Sequence, residues 1–430
     1  MKRRQFVKST ANASFAISAL PLLSATFKKN KTYRLGLIGS GWWGMNILRE
    51  AIYSKVVKVV GICDVDERAL KKVGTEVETL SADQPKQYKD FRELIDKEEL
   101  DIVIVATPDH WHALNAIYAI QNGCHVFLEK PIGHTINEGR AILKAARDRQ
   151  VVVQVDTHRR ASAHNISAMD FLKSGKVGKI SSVKCFVNNN QGAGSKTPNE
   201  KPPAGLDWDM WCGPAPYTPF NPRIHPKGFR NFLDYANGTL GDWGIHWFDQ
   251  VLWWTEERYP KTVFSSGGRY VKEDNTDAPD TQYALYEFES FNLHWEHKLT
   301  AKNVNEEHNI GCYFYGTEGT LHLGWRDGWT FYPSKKSQSK IKVDAQLNAP
   351  NLQNIKELWA DFIQAIEMGR RPICDIEDGH LASNVSLLGM LSYKLGRSIE
   401  WDGKNEEILN DPEANKLLHR DYRGEWEYPE

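Results

Sequence analysis

The chain alternates between short apolar runs and longer stretches in which apolar residues recur every three or four positions. Leu35–Ile38 reads as a buried strand, and Ile47, Leu48, Ala51 and Ile52 then share one face of an amphipathic helix. Val56–Ile62 predicts a second strand, Arg68–Val77 a helix, Phe91–Ile95 a short helix and Asp101–Ala106 a strictly apolar strand. The series continues with a helix over Ala113–Gln121, closed by Gly123, and a strand over His125–Leu128. It ends with a helix over Ile136–Asp148 and a strand over Val151–Val155. Strands alternating with helices in this way predict a parallel, doubly wound sheet over residues 33–155.

From residue 156 the pattern changes. A helix over Ile166–Ser174 stops at Gly175. Strand-like alternation then marks Ile180–Val187, Val263–Tyr270, Tyr283–Phe288, Leu293–Leu299 and Cys312–Tyr315, with a hairpin turn over Tyr315–Leu321. Successive strands with short connections predict a mostly antiparallel open sheet in a second, α+β domain over 156–430. Two helices close the chain: Ile355, Leu358, Trp359, Phe362 and Ile366 recur at helical spacing, as do the apolar residues of Leu381–Leu395. Between the first strand of this sheet and the next helix runs Asn188–Gly241, rich in Pro, Asn and aromatic residues. So long a loop is functional or disordered, and its aromatic content argues against disorder. Its tryptophans, Trp208 among them, read either as a wall for the C–H faces of a sugar or as a small satellite core.

The first strand runs into Gly39-Ser40-Gly41-Trp42-Trp43-Gly44 and a helix, and Asp64 lies 20 residues past Gly44. In that setting G-x-G-x-x-G is a dinucleotide-binding fingerprint. Gly39 permits the turn, Gly41 lets the backbone approach the pyrophosphate, and Gly44 brings helix and strand together. The helix amides and dipole meet the phosphate charge. Asp64 accepts from the adenosine ribose hydroxyls and repels a 2′-phosphate, which favours NAD over NADP. Trp42 and Trp43 are placed to help enclose the nucleotide.

Composition narrows the function classes. With 54 basic and 55 acidic residues the formal charge is −1, which gives no basic patch for nucleic acid. Lys2-Arg3-Arg4-Gln5-Phe6-Val7-Lys8 has the twin-arginine pattern, and Phe15–Ala25 follows as a weakly hydrophobic stretch too short to anchor the protein in a bilayer. Residues 1–32 therefore read as an export signal and linker, which implies the twin-arginine translocation machinery as a partner and a periplasmic location. The six cysteines are scattered with no C-x-x-C, and no structural disulfide is expected. His110 with His112, and His294 with His297, lack a completing cysteine or carboxylate, so no metal is expected.

The order GSGWWG, Asp64, Thr107-Pro108-Asp109-His110-Trp111-His112, Glu129-Lys130-Pro131 and Gly241-Asp242-Trp243-Gly244-Ile245-His246-Trp247-Phe248-Asp249 resembles the Gfo/Idh/MocA oxidoreductases. These include glucose–fructose oxidoreductase and inositol dehydrogenase. The likeness covers nearly everything after residue 33. It implies that Lys130 lies beside the nicotinamide and substrate, that Thr107, Pro108 and Glu129 line the cofactor, and that His112 stands near the nicotinamide. It also implies that Asp242 and His246 form a catalytic pair, with Asp242 orienting His246 and raising its pKa. On spacing alone Asp242 reads sooner as a helix N-cap and His246 as a packing residue than as a catalytic pair. Lys130 alone reads equally as a solvated lysine. The family often has glycine where Asp156 stands, which leaves Asp156 and His158 without an assigned role. Arg160 is expected to reach the cofactor or substrate, and Trp208 and Arg230 the substrate. A second subunit is expected to cover the open sheet, giving a homo-oligomer, a dimer or tetramer. These features point to an exported NAD-dependent oxidoreductase acting on a secondary hydroxyl of a sugar or cyclitol, with a tightly held cofactor. The alternatives are an NAD-dependent glycosidase working through transient oxidation and elimination, and a non-catalytic sugar-binding relative.

Overall fold

The computed structural model describes residues 31–301, 307–349 and 352–429. The twin-arginine pattern and the apolar stretch after it lie outside the described residues. The first sheet is built from β1 (Tyr33–Ile38), β2 (Val57–Cys63), β3 (Lys86–Tyr88), β4 (Ile102–Val105), β5 (His125–Leu128) and β6 (Val153–Val155). All pairs are parallel and the order is β3-β2-β1-β4-β5-β6. Helices cover both faces, which is why all four residues of β4 are buried and the run is continuously apolar. β3 gives no such signal, since only Tyr88 of Lys86-Gln87-Tyr88 is buried on that edge. The order reverses between β1 and β4, and the crevice at that switch point is where ligands bind in doubly wound sheets.

The second sheet has ten strands: β7 (Ile180–Asn188), β8 (Thr262–Gly268), β9 (Thr281–Glu287), β10 (Asn292–Lys298), β11 (Ile310–Gly316), β12 (Gly319–Gly324), β13 (Trp329–Pro333), β14 (Ile341–Val343), β15 (Ile399–Asp402) and β16 (Glu407–Ile408). Their order is β14-β13-β12-β11-β7-β10-β9-β8-β15-β16, antiparallel except between β7 and β10. The five strands from β12 onward are absent from the alternation read above. The turn at Thr317-Glu318 is where the sequence put it, but its far arm continues into β12 and the short strands beyond. One face of the sheet packs on the helices Gly238–Trp254 and Ile376–Leu395 around Trp247, Phe248, Tyr286, Trp295 and Phe314. The other face leaves Phe264, Tyr283, Leu285 and Tyr315 exposed.

Two departures bear on the site. The helix expected from Trp243 starts a turn earlier, at Gly238. Gly238 has φ +61°, and a Cβ on Gly241 would lie 2.6 Å from that of Asn237. The two glycines let the chain enter the helix against Asn237, whose side chain donates to the His134 carbonyl at 3.0 Å. Asp242 therefore sits inside the helix and is not its N-cap. The second departure is that helix Ile355–Met368 joins the first domain's core, with Trp359 and Phe362 each 5.7 Å from the Phe127 ring. The β6 edge is also held from the C-terminal side, where the Val155 amide donates to the Cys374 carbonyl at 2.8 Å. All six cysteines are buried free thiols, and Cys185 and Cys312 face each other across β7 and β11.

The shared core makes a stability prediction. Phe127→Ala should cost about 3–5 kcal/mol, as large-to-small changes at packed aromatic sites do. Urea unfolding monitored by tryptophan fluorescence reads this directly, and a loss below about 1 kcal/mol would show that the helix Ile355–Met368 does not depend on that contact.

Candidate active site

The fingerprint glycines are each fixed by contact. Gly39 has φ +93° and a Cβ there would lie 2.5 Å from the Ala106 carbonyl oxygen. A Cβ on Gly44 would lie 2.1 Å from the Gly39 carbonyl oxygen, so helix Trp42–Tyr53 rests directly on the β1 turn. Gly41 is different: nothing lies within 4 Å of a Cβ placed there, and it heads the helix in extended conformation. Open space above a helix N-terminus suits a phosphate group. The Asp64 carboxylate accepts from the amides of Ser40 at 2.7 Å and Asp66 at 2.9 Å, which fixes its orientation. These features fit a nicotinamide dinucleotide, which Gly41, Asp64, Thr107, Pro108, Trp43 and Glu129 would hold along a cavity of about 430 Å³.

The long aromatic loop forms one wall of this cavity. The Glu67 amide donates to Gly205 at 2.9 Å and the Asp207 amide to Val65 at 3.0 Å, so the loop pairs with the chain just past Asp64. Farther along, His225 and Lys227 line the cavity, and Lys227 Nζ stands 5.1 Å over the exposed Trp42 ring. Trp208 does not serve as a sugar wall. It is 3% exposed, stacks on Trp211 at 4.5 Å and packs edge-on to Phe220, in the satellite core that gives the loop its shape.

A second cavity, of about 170 Å³, shares Trp42, Trp43, Glu129 and Arg230 with the first. Lys130, Asp156, His158, Asp242 and His246 line it. Lys130 Nζ donates to Asp242 Oδ1 at 2.7 Å and to its backbone carbonyl at 2.8 Å, while Arg230 Nε donates to Oδ1 at 3.3 Å. Burial alone would raise the Asp242 pKa, but Lys130 and then Arg230 outweigh it and hold the carboxyl below its ordinary range. Burial likewise opposes the Lys130 charge, yet Asp242 and Glu129 keep the ammonium above its usual value.

The expected Asp242–His246 pair is therefore not formed, because two cations claim the carboxylate. His246 instead packs its ring against Trp325 and His158, at 5.1 and 5.5 Å, and its Nδ1 is sealed without a hydrogen-bond partner. Its pKa is not raised; burial, followed by the charges of Lys130, His158 and Arg159, pulls it well below the usual value. At neutral pH the ring is therefore uncharged.

Two more expectations are corrected. His112 does not line either cavity; its ring lies between the carbonyls of Pro131, at 2.6 Å from Nδ1, and Thr107, at 2.7 Å from Nε2. It braces the ends of β4 and β5, and burial brings its pKa down to about 4. Arg160 turns away from both cavities and pairs with Asp249 at 2.8 Å and Asp378 at 3.2 Å, tying the domain crossing to two helices. The sequence left Asp156 and His158 without a role and gave no signal for Trp325. Asp156 accepts from Trp43 Nε1 at 2.7 Å, the same N–H that reaches Glu129 at 3.2 Å. His158 is 3% exposed with neither ring nitrogen bonded. Trp325 is held by Arg159, whose guanidinium lies 3.9 Å over its ring.

His110 bonds to the Trp211 carbonyl while His112 lies between the Pro131 and Thr107 carbonyls, and strand alternation puts His294 and His297 on opposite faces of β10. Among the described residues His308, His322 and Asp327 cluster within 4.8 Å. Their two imidazoles stack face to face at 3.5 Å and 13°, so the in-plane lone pairs do not converge on one ion.

Residues 33–157 match the model of an oxidoreductase family with an NAD-binding Rossmann fold, Gfo/Idh/MocA, and residues 176–428 match that family's C-terminal α/β domain. The chain is 27% identical over 202 residues to a glycosyl hydrolase family 109 protein of Shewanella pealeana, covering 42% of this chain and 44% of that one. It is 25% identical over 224 residues to the rhizopine catabolism protein MocA of Rhizobium meliloti, covering 52% and 57%. These matches span about half the length of each relative. Among solved structures, levoglucosan dehydrogenase in complex with NADH and levoglucosan superimposes with TM-score 0.66 at 19% identity, over 86% of this chain and 99% of that one. The aldose-aldose oxidoreductase of Caulobacter crescentus, complexed with glycerol, gives 0.62 at 18% over 86% and 100%. At these identities the structural likeness is one of fold.

The site's electrostatics predict that His246 stays neutral as the pH falls through about 6.5, the ordinary histidine midpoint. Ring-nitrogen chemical shifts of labelled protein, compared with His246→Gln for assignment, test this. A titration at or above that midpoint would contradict the geometry described.

Proposed function

The chain belongs to the Gfo/Idh/MocA oxidoreductases, and we propose that it is an exported enzyme that interconverts a secondary hydroxyl and a carbonyl on a sugar or cyclitol. The observation that carries this reading is the convergence of a charged Lys130 and a neutral His246 on a cavity that opens into the nucleotide cleft. When bound, the nicotinamide supplies the two-electron redox chemistry. The chain's own groups handle the proton and the charge. The His246 ring accepts the hydroxyl proton as the carbon is oxidised and returns it in the reverse direction. The Lys130 ammonium holds the reacting oxygen and stabilises negative charge developing on it. Asp242 acts through Lys130 by fixing the direction of its Nζ. Arg230 and Trp325 are placed to contact the sugar. Acid–base assistance of this kind contributes roughly 10²–10⁴-fold.

Asp64 gives the preference for NAD over NADP, since its charge opposes a 2′-phosphate where two amides hold the carboxylate. The loop across the cleft supports a retained nucleotide, because its pairing with Val65–Glu67 adds a wall beside the ribose carboxylate. Retention suits export by the twin-arginine route to the periplasm, since folded proteins are carried there and free NAD is scarce outside. The exposed Phe264, Tyr283, Leu285 and Tyr315 support a homo-oligomer formed through the open sheet. The similarity to glycosyl hydrolase family 109 proteins supports a second reading, in which the oxidation is transient and a glycoside is cleaved with no net redox change.

One preparation tests the main reading. Protein purified without added nucleotide and dialysed should release near-stoichiometric NAD(H) on denaturation. Lys130→Met and His246→Ala should keep that yield while losing at least about a hundredfold in turnover across a sugar and cyclitol panel. Near-normal turnover in both variants, or an empty wild-type protein that needs nucleotide added in excess, would contradict it.

A further inference from the structure

A nicotinamide dinucleotide brings the negative charge of its diphosphate into the cleft, and the phosphate turn holds no cation to meet it. Gly39-Ser40-Gly41-Trp42-Trp43-Gly44 contains neither lysine nor arginine. Asp64, Asp66, Glu76 and Glu129 line the same cavity, so the acids there oppose the ligand. The helix amides offer only partial positive charge in return. Most of the cations that line the cavity are already engaged. Arg49 pairs with Glu76 at 2.6 Å, Lys89 with Glu67 at 2.6 Å, and Arg230 with Asp242 at 3.3 Å. Among the described residues, Lys72 and Lys227 are the lining cations whose ammonium groups have no carboxylate partner. Lys72 belongs to the helix Glu67–Ser81, which follows the ribose carboxylate. Lys227 stands at the phosphate turn itself: its Nζ lies 5.1 Å over the ring of Trp42, the residue after Gly41. The backbone that carries it is tied at both ends. A Cβ on Gly228 would lie 1.7 Å from the Arg223 carbonyl oxygen, so the chain doubles back directly after the lysine. Arg230 Nη1 donates to the Lys227 carbonyl at 3.3 Å, and the Arg223 amide donates to Asn221 Oδ1 at 2.9 Å. His225, two residues before the lysine, stands 3.5 Å from Asp66 of the first domain.

We propose that Lys227 is the counter-cation of the nucleotide's diphosphate, and that it clasps the cofactor from the second domain by moving from the face of Trp42 onto the phosphate oxygens. This rests on the nucleotide reading of the cleft and is independent of the sugar chemistry. The lysine gives up no ion pair to make the new contact, and its backbone is already positioned beside the turn. An ammonium–phosphate contact is a charge-assisted hydrogen bond, among the stronger polar contacts a protein makes. The first domain then holds the nucleotide by the turn and the ribose carboxylate, and the second domain holds it by charge. Departure of the nucleotide has to break the second hold as well as the first, which slows release.

The test reads nucleotide binding and needs no sugar. Full-length protein is loaded with NADH, and its displacement is followed by the fluorescence of the bound nicotinamide. Displacement by excess NAD gives the release rate. Competition with ADP-ribose, which carries the diphosphate, and with adenosine, which carries no phosphate, gives the affinities of the two kinds of ligand. Lys227→Met should speed NADH release about tenfold or more and weaken ADP-ribose by a similar factor. Adenosine should bind the variant and the wild type alike, and Lys227→Arg, which keeps the charge, should behave as the wild type. Added salt should weaken ADP-ribose more in the wild type than in Lys227→Met, because the variant has lost a charge that salt screens. Equal ADP-ribose affinity and equal NADH release in the wild type and Lys227→Met would overturn the proposal. An equal loss for adenosine would overturn it too, since it would show that the lysine only shapes the loop. A wild type that holds no NADH sinks the nucleotide reading itself, whereas a wild type that holds it no differently from Lys227→Met sinks only the role of Lys227.

Discussion

A buried ion pair between the two domains sets the geometry of the whole site. Lys130 stands at the carboxyl end of a parallel strand, and Asp242 sits one turn inside a helix of the second domain. Removing either charge from water costs several kcal/mol, which their attraction offsets only if further polar partners are present. They are: Lys130 also bonds to the Asp242 backbone carbonyl, and Arg230 approaches from the long loop. The arrangement therefore fixes the end of β5, the long loop and the helix Gly238–Trp254 at one point. It also takes the expected carboxylate partner from His246, whose ring burial and then the Lys130 charge keep neutral. A proton acceptor next to a fixed positive charge is what a carbinol oxidation needs.

The same economy of contacts governs the nucleotide cleft. The first domain supplies the phosphate turn and the ribose carboxylate, but the cover comes from the second domain. That cover is rigid because its tryptophans pack on one another; Trp208, Trp211, Phe220 and Tyr235 form a core of their own. The nucleotide cleft and the smaller cavity lined by Lys130 and His246 are distinct spaces that share Trp43, Glu129 and Arg230.

Much of this was legible in the chain. The fingerprint, Asp64 and the strand-ending Glu129-Lys130 followed from periodicity and motif order, because parallel strands buried on both faces leave unbroken apolar runs. The short strands from β12 onward left no such trace, since runs of two to six residues, such as β12 with five of its six residues buried, carry little alternation. The i, i+4 spacing of Asp242 and His246 was read correctly as one helical face. It did not reveal that Lys130 and Arg230, 112 and 12 residues away, would take the carboxylate. His112 and Arg160 sat at the right places in the chain but turned inward, His112 between two backbone carbonyls and Arg160 onto Asp249. Asp156 was visible only as a departure from the family pattern, and its meaning emerged once Trp43 was seen to bridge it to Glu129.

The central claim is that Lys130 and Asp242 work as a unit, and a double-mutant cycle on turnover measures this most directly. Lys130→Met, Asp242→Asn and the double variant would be compared under single-turnover conditions with nucleotide bound. If the pair is one device, the double variant should be little worse than Lys130→Met alone. Losses that multiply, as for independent residues, would contradict the account.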